Sequence, residues 1–457
     1  MKNLANAGNR KGYNMEKVFK IGFAREDITP DEYMTLAGFG NDSHRLCNHV
    51  MDRLAGTSIV MEDHKGERLI FICLDLLHSF EPTVTRQIRD TLSEKFHIAK
   101  DRIMVSASHT HAGPSFYCPE EDEPTGRFFV KLKKQLVKAT REAIEDMAPA
   151  TVEIGKREFP RMTFKRHYRK PDGTIATNAS GGVPVGPGDT QMQIMRFVRE
   201  NAMDIVLINW QAHATIISAS DRKDMSFDYP GILRTHVEMS LGCHCAFMQG
   251  ACGDMVPTCR TPELNVVDPS DHVAYGRLLA EKAMELLRED MHSSKLGPIK
   301  SLQYIYSSPV DHTEDYRVPD AIKCREGYLS LPKEEQLARN KQYGFRGWLH
   351  SGMIINRSKK PANMEFELNA ISIGDVSFAT APFEMFSSNG RFVKDNTPFD
   401  MSFMCAYCNG NNSYIADDEA FDYTSCYEVD SRYLFRGAAE EIASTLVNLL
   451  KKVKAQR

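Results

Sequence analysis

The sequence predicts an α/β fold in which a mixed β-sheet core is flanked by helices. Short apolar runs with strand-like patterns recur along the chain, and amphipathic helical patterns separate several of them. One segment, residues 69–107, reads as strand, helix and strand in succession. Such a unit normally places its two strands side by side and parallel in one sheet.

The first third of the chain alternates strand and helix patterns. Strands are predicted at residues 18–24, 58–61, 69–75 and 103–107. The strand at 69–75 is apolar enough to be central in its sheet. A helix is predicted over 82–96, because its apolar side chains recur every four residues at Val84, Ile88, Leu92 and Phe96. A second stripe of this kind predicts a helix over 128–147.

The remaining two thirds continue in the same manner. Strands are predicted at residues 151–154, 191–199, 204–212, 245–248, 365–373 and 376–380. Helices are predicted at 232–241, 273–288, from about 331 onwards, and at the C-terminal end of the chain. No repeat, low-complexity tract or linker divides the chain. We therefore expect a flexible N-terminal segment at 1–17 and one continuous domain over 18–455.

Composition excludes several classes of function. The 457 residues are 42% hydrophobic and 26% charged, as in an ordinary globular protein. The net charge is −4 and no long run of Lys or Arg is present, so nucleic acid is not an expected partner. No apolar stretch reaches the length of a membrane span, and the N-terminus lacks the apolar core of a signal peptide. We expect a cytoplasmic protein without stable membrane insertion; homo-oligomerisation stays open.

The cysteines do not form a disulfide framework. Eleven are spread over a long chain, so most are expected to be reduced and buried. Cys243 and Cys245 lie in an apolar run and are interpreted as strand residues rather than metal ligands. Cys405 and Cys408 form a C-x-x-C, but no second pair lies at zinc-ribbon spacing.

A pair of histidines follows the strand predicted at 103–107. The sequence Ser-His-Thr-His at 108–111 runs at once into Gly113 and Pro114, so His109 and His111 lie where the strand ends. Positions two apart in an extended chain point to the same face, so the two imidazoles should project together. This placement suits a metal ligand and a proton-transfer partner. The alternative is a turn cap and a core residue.

Other polar residues lie at strand ends or in turns, and each has a structural alternative. His213 closes an apolar strand, where a lone histidine is more often a core residue than a ligand. Asp75 also ends a strand. Its carboxylate is either a local hydrogen-bond anchor or the group that orients a nearby histidine. Arg166 lies in a basic segment that is either a solvated turn or a contact for a substrate's anionic or carbonyl group. The glycine-rich turn at 249–254 could line an anion site with backbone N–H groups.

Six stretches, taken together and in order, carry a family resemblance. They are Gly22 with Asp-Ile-Thr-Pro at 27–30, Ser-His-Thr-His-Ala-Gly-Pro at 108–114, His213 with Asp-Tyr-Pro-Gly at 228–231, Gln-Gly-Ala-Cys-Gly-Asp at 249–254, Pro-Phe-Glu at 382–384, and Tyr414 followed by Tyr427. The set spans roughly residues 18–455 and resembles the neutral/alkaline, non-lysosomal ceramidase family, including its shorter bacterial relatives.

The resemblance implies a zinc site and a reaction. In that family one zinc ion is held by two histidines, a glutamate and a tyrosine, and the amide bond of N-acylsphingosines is cleaved. Transferred to the matching positions, this implies Zn²⁺ ligands at His109, His213, Glu384 and Tyr414. It further implies that His111 acts as the acid/base and that Arg166 and Tyr427 contact the scissile carbonyl or its oxyanion.

The chain also departs from the family pattern. Ceramidases have a serine two residues after the Gly-Asp of the glycine-rich turn, and Val256 stands there in this chain. A serine nucleophile at this position is therefore excluded, which favours direct attack by a water that zinc activates. Nearby Cys252 is interpreted as a small residue packed in a tight turn. The chain ends after its last helix, so the C-terminal immunoglobulin-like domain of the ceramidases is not expected.

These inferences give one functional hypothesis and two rivals. The hypothesis is a zinc-dependent, ceramidase-like amidohydrolase that uses activated water to cleave the amide (C–N) bond of a small, polar N-acyl molecule. The first rival keeps the zinc site but changes the bond to an ester, a lactone or a glycosidic linkage. The second rival is a non-catalytic protein that retains the pocket for binding.

Overall fold

The structure, a computed structural model, describes residues 18–39, 45–78, 81–115, 123–217 and 222–456. The segment expected to be flexible, residues 1–17, lies outside these ranges. The strands, in chain order, are β1 (Lys20–Asp27), β2 (His49–Val50), β3 (Ala55–Glu62), β4 (Arg68–Leu74), β5 (Ile103–Ala107), β6 (Ala148–Glu158), β7 (Phe164–Lys165), β8 (His167–Arg169), β9 (Ile175–Thr177), β10 (Val183–Pro184), β11 (Gln191–Arg199), β12 (Ile205–Trp210), β13 (Asp224–Met225), β14 (His244–Gln249), β15 (Met255–Val256), β16 (His292–Ser294), β17 (Ile299–Pro309), β18 (Asn363–Ile373), β19 (Val376–Thr380), β20 (Glu384–Met385), β21 (Met401–Cys405) and β22 (Tyr414–Ile415).

The helices lie between these strands. In chain order they are α1 (Pro82–Phe96), α2 (Pro124–Glu145), α3 (Asp228–Leu241), α4 (His272–Glu289), α5 (Val318–Arg325), α6 (Lys333–Tyr343), α7 (Trp348–Ser358), α8 (Ser387–Asp395), α9 (Tyr427–Asp430) and α10 (Ala438–Ala455). None of the helices in the described residues is both long and apolar enough to cross a bilayer. Helix α10 is the last element in the described residues.

The largest sheet has nine strands and mixed directions. Its order is β14, β12, β11, β6, β1, β3, β4, β5, with β16 pairing to β6. The pair β4 and β5 is parallel, as the strand–helix–strand pattern predicts, and so is the pair β12 and β14. The ladders between these two pairs are antiparallel. The predicted mixed α/β fold is confirmed.

A second sheet packs face to face on the first. It contains β17, β18, β19 and β21, and the rings of Phe71 in β4 and Phe378 in β19 lie 4.5 Å apart across the interface. Helices α1 to α4 cover the other face of the large sheet, and α10 covers the outer face of the small one. The result is a four-layer arrangement of helices, two sheets and helices.

Burial on both faces explains the near-continuous apolar strands. In β4, Leu69 and Phe71 point into the core between the sheets, whereas Ile70 and Ile72 point towards α1 and α2. All four side chains are at most 1% exposed. Each such side chain contributes about 1.5–3 kcal/mol to folding through burial. The charged residue of β4, Arg68, is accordingly at the first position of the strand.

Sequence patterns located central elements better than edge elements. Helix α1 and strands β5, β11 and β19 have the predicted bounds, while β1 lies two to three residues further along than predicted. The sequence patterns predict no strand between residues 248 and 365, whereas β17 spans Ile299–Pro309. This strand lies at the edge of its sheet, and many of its side chains face solvent, so it lacks a strong apolar pattern.

The large sheet curls until its two edges meet. Strands β5 and β14 stand at opposite ends of the strand order. Even so, Thr110, after β5, forms an isolated parallel bridge with Ala214, after β12 and beside β14. The backbone N–H of His111 also donates to Ala214 O at 3.0 Å. The carboxyl ends of β5, β12 and β14 therefore open into one space.

Candidate metal centre

His109 and His111 converge for a reason that the strand pattern does not give. Strand β5 ends at Ala107, and His109 has φ +63°, so the chain is not extended between the two histidines. The expectation of two side chains on one strand face is wrong in this detail. The side chains meet all the same, with their Nε2 atoms 3.2 Å apart, because the left-handed residue turns the chain back. Both side chains are at most 8% exposed.

Backbone carbonyls fix the imidazole rings of His109 and His213. His109 Nδ1 lies 2.6 Å from Leu77 O, and His213 Nδ1 lies 2.7 Å from Cys252 O. A carbonyl only accepts, so each Nδ1 carries the proton that it donates. In the neutral rings each Nε2 is then an unprotonated nitrogen with a free lone pair. This is the arrangement that orients histidine ligands at metal sites.

Glu384 completes a cluster of acceptors. Its Oε2 lies 3.4 Å from His109 Nε2 and 3.4 Å from His213 Nε2. That oxygen is buried and has no hydrogen-bond partner among the described residues. Two nitrogen lone pairs and a carboxylate oxygen thus point at one another with no proton between them, which a bound cation would stabilise. The donor set of two imidazoles and a carboxylate fits zinc.

The electrostatics keep these groups in the state that binds metal. Burial lowers the pKa of His213 to about 4 and, with the neighbouring His109, lowers that of His111 well below its ordinary value. Burial alone raises the pKa of Glu384, but positive charge on the imidazoles of His109 and His213, when they are protonated, brings it well below its ordinary value. At neutral pH His111 and His213 are therefore uncharged and the Glu384 carboxylate is ionised.

A short pair of parallel strands brings Tyr414 next to the cluster. Strands β20 and β22 pair in parallel with Glu384 opposite Tyr414, so the two side chains are neighbours. Tyr414 Oη lies 3.4 Å from His213 Nε2 and 3.1 Å from Tyr427 Oη. Burial and the nearby Glu384 raise the pKa of Tyr414 well above its ordinary value. Its hydroxyl is therefore protonated unless a cation lies beside it.

Arg166 is buried beneath the two tyrosines. It is 5% exposed, and its Nε donates to Glu428 Oε1 at 2.7 Å. Its guanidinium carbon lies 5.4 Å from the Tyr414 ring centroid and 4.9 Å from that of Tyr427. The interpretation of the basic segment as a solvated turn is therefore wrong at this residue, because the buried Glu428 compensates the charge.

A cavity of about 690 Å³ opens over the cluster. The seven residues singled out by the sequence lie together: His109, His111, Arg166, Glu384, Tyr414 and Tyr427 line the cavity, and His213 lies directly behind Glu384 and Tyr414. Polar side chains on the wall include Asn178, Thr258, Arg260, Asn411 and Ser413, and apolar ones include Phe39, Leu77, Ile216, Val256, Leu349 and Met353. This size suits a small molecule.

Contacts in the structure decide two other predictions. Asp75 accepts from both terminal nitrogens of Arg234, so it is an anchor and does not orient His109. The backbone N–H of Gly253 donates to Met385 O at 2.7 Å, so it is not free to line an anion site. A Cβ at Gly253 would lie 2.5 Å from the carbonyl oxygen of Glu384, which explains the glycine.

The cysteines of the described residues follow the prediction. Ten are free thiols, and all but Cys73 are buried. Cys252 is 0% exposed, and burial raises its pKa to about 12, so it has no thiolate character. Its interpretation as a packed residue of the turn agrees with this environment.

The sequence patterns missed two residues of this region. Glu428 directly follows Tyr427, and its position beside a residue of interest is the only signal that could have drawn attention to it. Tyr407 lies inside the C-x-x-C of Cys405 and Cys408 and stacks on His109 at 4.0 Å between ring centroids. Neither contact follows a spacing in the sequence.

Comparison with known proteins places this geometry in a family. The sequence model described as "Neutral/alkaline non-lysosomal ceramidase, N-terminal" matches residues 19–268, more than half of the chain. The chain belongs to the neutral/alkaline non-lysosomal ceramidase family. The family resemblance drawn from six sequence stretches is thereby confirmed.

Relatives within the ceramidase family are distant in sequence but close in fold. The neutral ceramidase of Pseudomonas aeruginosa is 23% identical over 257 residues, which are 52% of this chain and 37% of that protein. The match thus spans well under two thirds of the relative's length. A ceramidase solved in complex with C2 superposes with a TM-score of 0.68 at 17% identity, covering 96% of this chain and 75% of the other. The crystal structure of the P. aeruginosa neutral ceramidase gives 0.66 at 18% identity, with the same coverage.

Proposed function

We propose that this chain is a zinc-dependent hydrolase that cleaves the amide bond of a small, polar N-acyl molecule. The proposal rests on one observation above all: Glu384 Oε2 and the Nε2 atoms of His109 and His213 converge at 3.4 Å without a proton to share. Family membership adds that a related protein is named a neutral ceramidase. Ceramide itself contains an amide bond, so the reaction class agrees with that name.

Zinc would be held by His109, His213, Glu384 and Tyr414. When bound, it polarises the scissile carbonyl and makes a water molecule acidic enough to attack at neutral pH. The residues supply the rest of the site. The carbonyls of Leu77 and Cys252 hold the two imidazoles in the tautomer that leaves Nε2 free to bind a metal. Burial lowers the pKa of His213 to about 4, so protons do not compete for its Nε2 at neutral pH.

His111 is the group placed to move the proton. Its Nε2 lies 3.2 Å from His109 Nε2, next to the proposed zinc position, and its ring lines the cavity. Its lowered pKa keeps the imidazole neutral, so it can accept a proton from the attacking water. The same nitrogen then returns the proton to the leaving amine.

Tyr427 and Arg166 would stabilise the negative charge that develops on the carbonyl oxygen. Burial raises the pKa of Tyr427, so its hydroxyl stays protonated and can donate a hydrogen bond into the cavity. The Arg166 guanidinium lies 4.9 Å from the Tyr427 ring centroid and adds a fixed positive charge behind it. Removing one such hydrogen-bond donor typically lowers kcat by a factor of about 10²–10³.

The polar wall supports a polar substrate. Asn178, Thr258 and Arg260 line the side of the cavity near β15, and Asn411 and Ser413 line the side near β22. These groups offer hydrogen bonds to hydroxyl, amide or carboxylate groups on the substrate. Val256 stands where the ceramidases have serine, so water and not a serine hydroxyl is the proposed nucleophile.

Metal analysis and a substrate screen test the proposal. We expect one zinc per chain, retained in His64→Ala, which alters an exposed histidine, and lost in His213→Ala. A panel of N-acyl amino acids, N-acyl amino sugars, ceramide, esters, lactones and glycosides then identifies the bond. Turnover of esters, lactones or glycosides without amide turnover would favour the first rival. Stoichiometric zinc with tight ligand binding and no turnover would favour a binding protein, and absence of bound zinc would contradict the proposal.

A further inference from the structure

The segment from Ala406 to Asn409 connects chain segments that carry or orient three proposed zinc ligands. Its backbone N–H groups donate, in order, to Gln249 O at 3.1 Å, Phe383 O at 3.3 Å, Ala381 O at 3.2 Å and Val105 O at 2.9 Å. Gln249 opens the turn whose Cys252 carbonyl orients His213, and Phe383 directly precedes Glu384. Val105 belongs to the strand that leads to His109. A displacement of this segment would therefore reach all three ligands.

Tyr407 lies at the centre of this segment in a conformation that non-glycine residues rarely adopt. Its φ is +53°, and its side chain is 0% exposed. The ring lies against the imidazole of His109, with 4.0 Å between centroids and 27° between planes. A buried tyrosine held in the left-handed region costs free energy, and such strain concentrates at functional sites.

The hydroxyl of Tyr407 links this stack to the second histidine. Tyr407 Oη lies 3.1 Å from Cys252 Sγ, and Gln249 Nε2 donates to the same sulfur at 2.7 Å. The backbone carbonyl of Cys252 accepts from His213 Nδ1 at 2.7 Å. Tyr407 thus supports the ring face of His109 directly. Its hydroxyl also holds Cys252, whose carbonyl orients His213.

We propose that Tyr407 is a positioning residue of the metal centre, which fixes the ring plane of His109 and couples it to the Cys252 carbonyl that orients His213. The inference rests on the proposed zinc site and goes beyond it, because Tyr407 supplies no ligand atom. Its role is preorganisation: both Nε2 lone pairs point at the metal position before the metal arrives.

Variants at Tyr407 separate the stack from the hydroxyl contact. Tyr407→Phe keeps the ring against His109 and loses the contact with Cys252, whereas Tyr407→Leu loses both. The matched control is Tyr275→Phe, because Tyr275 is also fully buried and its hydroxyl also donates a hydrogen bond, to Met162 O, but it lies in α4 away from the cavity. Circular dichroism and thermal melting establish that each variant is folded.

The measurements are the zinc dissociation constant, from competition with a chromophoric chelator, and the visible absorption spectrum of the Co²⁺-substituted protein. We expect Tyr407→Leu to weaken zinc binding by about 10- to 100-fold, the range for loss of a partner that orients a ligand. Tyr407→Phe keeps the stack and should weaken zinc binding less than Tyr407→Leu but more than Tyr275→Phe, and the Co²⁺ bands should shift in Tyr407→Leu but not in Tyr275→Phe.

The outcomes distinguish this inference from the zinc proposal itself. Wild-type zinc affinity and an unchanged Co²⁺ spectrum in folded Tyr407→Leu would overturn the positioning role and leave the metal centre intact. If Tyr407→Leu does not fold, Tyr407→Phe decides: a change in zinc affinity no larger than that of Tyr275→Phe overturns the link through Cys252. Failure of the wild-type protein to bind zinc or Co²⁺ would overturn both proposals together.

Discussion

Arg166 and Glu428 form an ion pair inside the protein, with Arg166 Nε donating to Glu428 Oε1 at 2.7 Å. Glu428 is 0% exposed and Arg166 5%. The carboxylate also accepts from Thr177 Oγ1 at 2.7 Å, so both of its oxygens are occupied. The pair allows a positive charge to remain beneath Tyr414 and Tyr427 without contact with water. It therefore connects the stability of the fold to the electrostatics of the cavity.

Removing the carboxylate should be costly for stability. In Glu428→Ala the buried guanidinium loses its counter-charge, and we expect the free energy of unfolding to fall by about 3–5 kcal/mol. Asp422→Ala is the control, because Asp422 pairs with Arg436 at the surface and its loss should hardly change stability. Urea denaturation of both variants checks the prediction; equal, small losses would contradict it.

The same pair predicts a pH dependence. Burial alone raises the pKa of Glu428, but the charges of Arg166 and His167 bring it far below its ordinary value of 4.5. A carboxyl with a lowered pKa in the folded state stabilises the protein fully above its ordinary pKa, and this contribution fades as the pH falls further. The stability difference between wild type and Glu428→Gln should therefore shrink between pH 5 and 3. Unfolding free energies measured across that range test this; a constant difference would contradict it.

His111 should be needed for turnover but not for metal binding. If it carries the proton, His111→Ala retains one zinc per chain and loses about 10²–10⁴ in kcat. Its Nε2 lies only 3.2 Å from that of His109, so a ligand role is the competing explanation. Zinc content decides between them: loss of zinc from the folded variant would make His111 a ligand.

We expect a glycine at position 38 to be required for turnover, because this residue packs against His111. A Cβ on Gly38 would lie 2.2 Å from His111 Nδ1, and φ is +92°. Gly66 has a similar φ of +86°, and no atom of the described part of the chain lies within 4 Å of an added Cβ, so Gly66→Ala isolates the backbone strain. We expect both alanine variants to lose about 1 kcal/mol from strain, and only Gly38→Ala to lose turnover as well. Equal turnover in the two variants would show that the His111 contact is irrelevant.

Metal removal should destabilise the wild-type protein. At a free zinc concentration of 100 times Kd, binding contributes about 2.7 kcal/mol, so a chelator should lower Tm. Without zinc, Glu384 Oε2 faces the nitrogens of His109 and His213 with no proton to share. An amide in its place can donate a hydrogen bond, so metal-free Glu384→Gln should melt above metal-free wild type. Differential scanning calorimetry with and without chelator measures both effects; a lower Tm for the variant would contradict the prediction.

Central elements were predictable because their residues carry a local pattern. The strand–helix–strand unit from β4 to β5 has apolar strands and a helical stripe, and each is visible within a short window. Edge strand β17 lacked such a pattern, because its outer side chains face solvent. The stacking of the small sheet on the large one also escaped prediction, since it depends on contacts such as Phe71 with Phe378 between distant parts of the chain.

The candidate site, like the fold, has one part that the sequence predicts and another that only the tertiary structure determines. Residue types and motifs named His109, His111, Arg166, His213, Glu384, Tyr414 and Tyr427 through a family resemblance, and the chain alone carries that information. Their convergence required the curled sheet, the left-handed turn at His109 and the β20–β22 ladder. Supporting residues such as Tyr407 and Glu428 have no sequence signal, because their partners lie 298 and 262 residues away along the chain. Local patterns encode elements and reactive groups, whereas burial, ring orientation and charge pairing arise only when distant segments pack together.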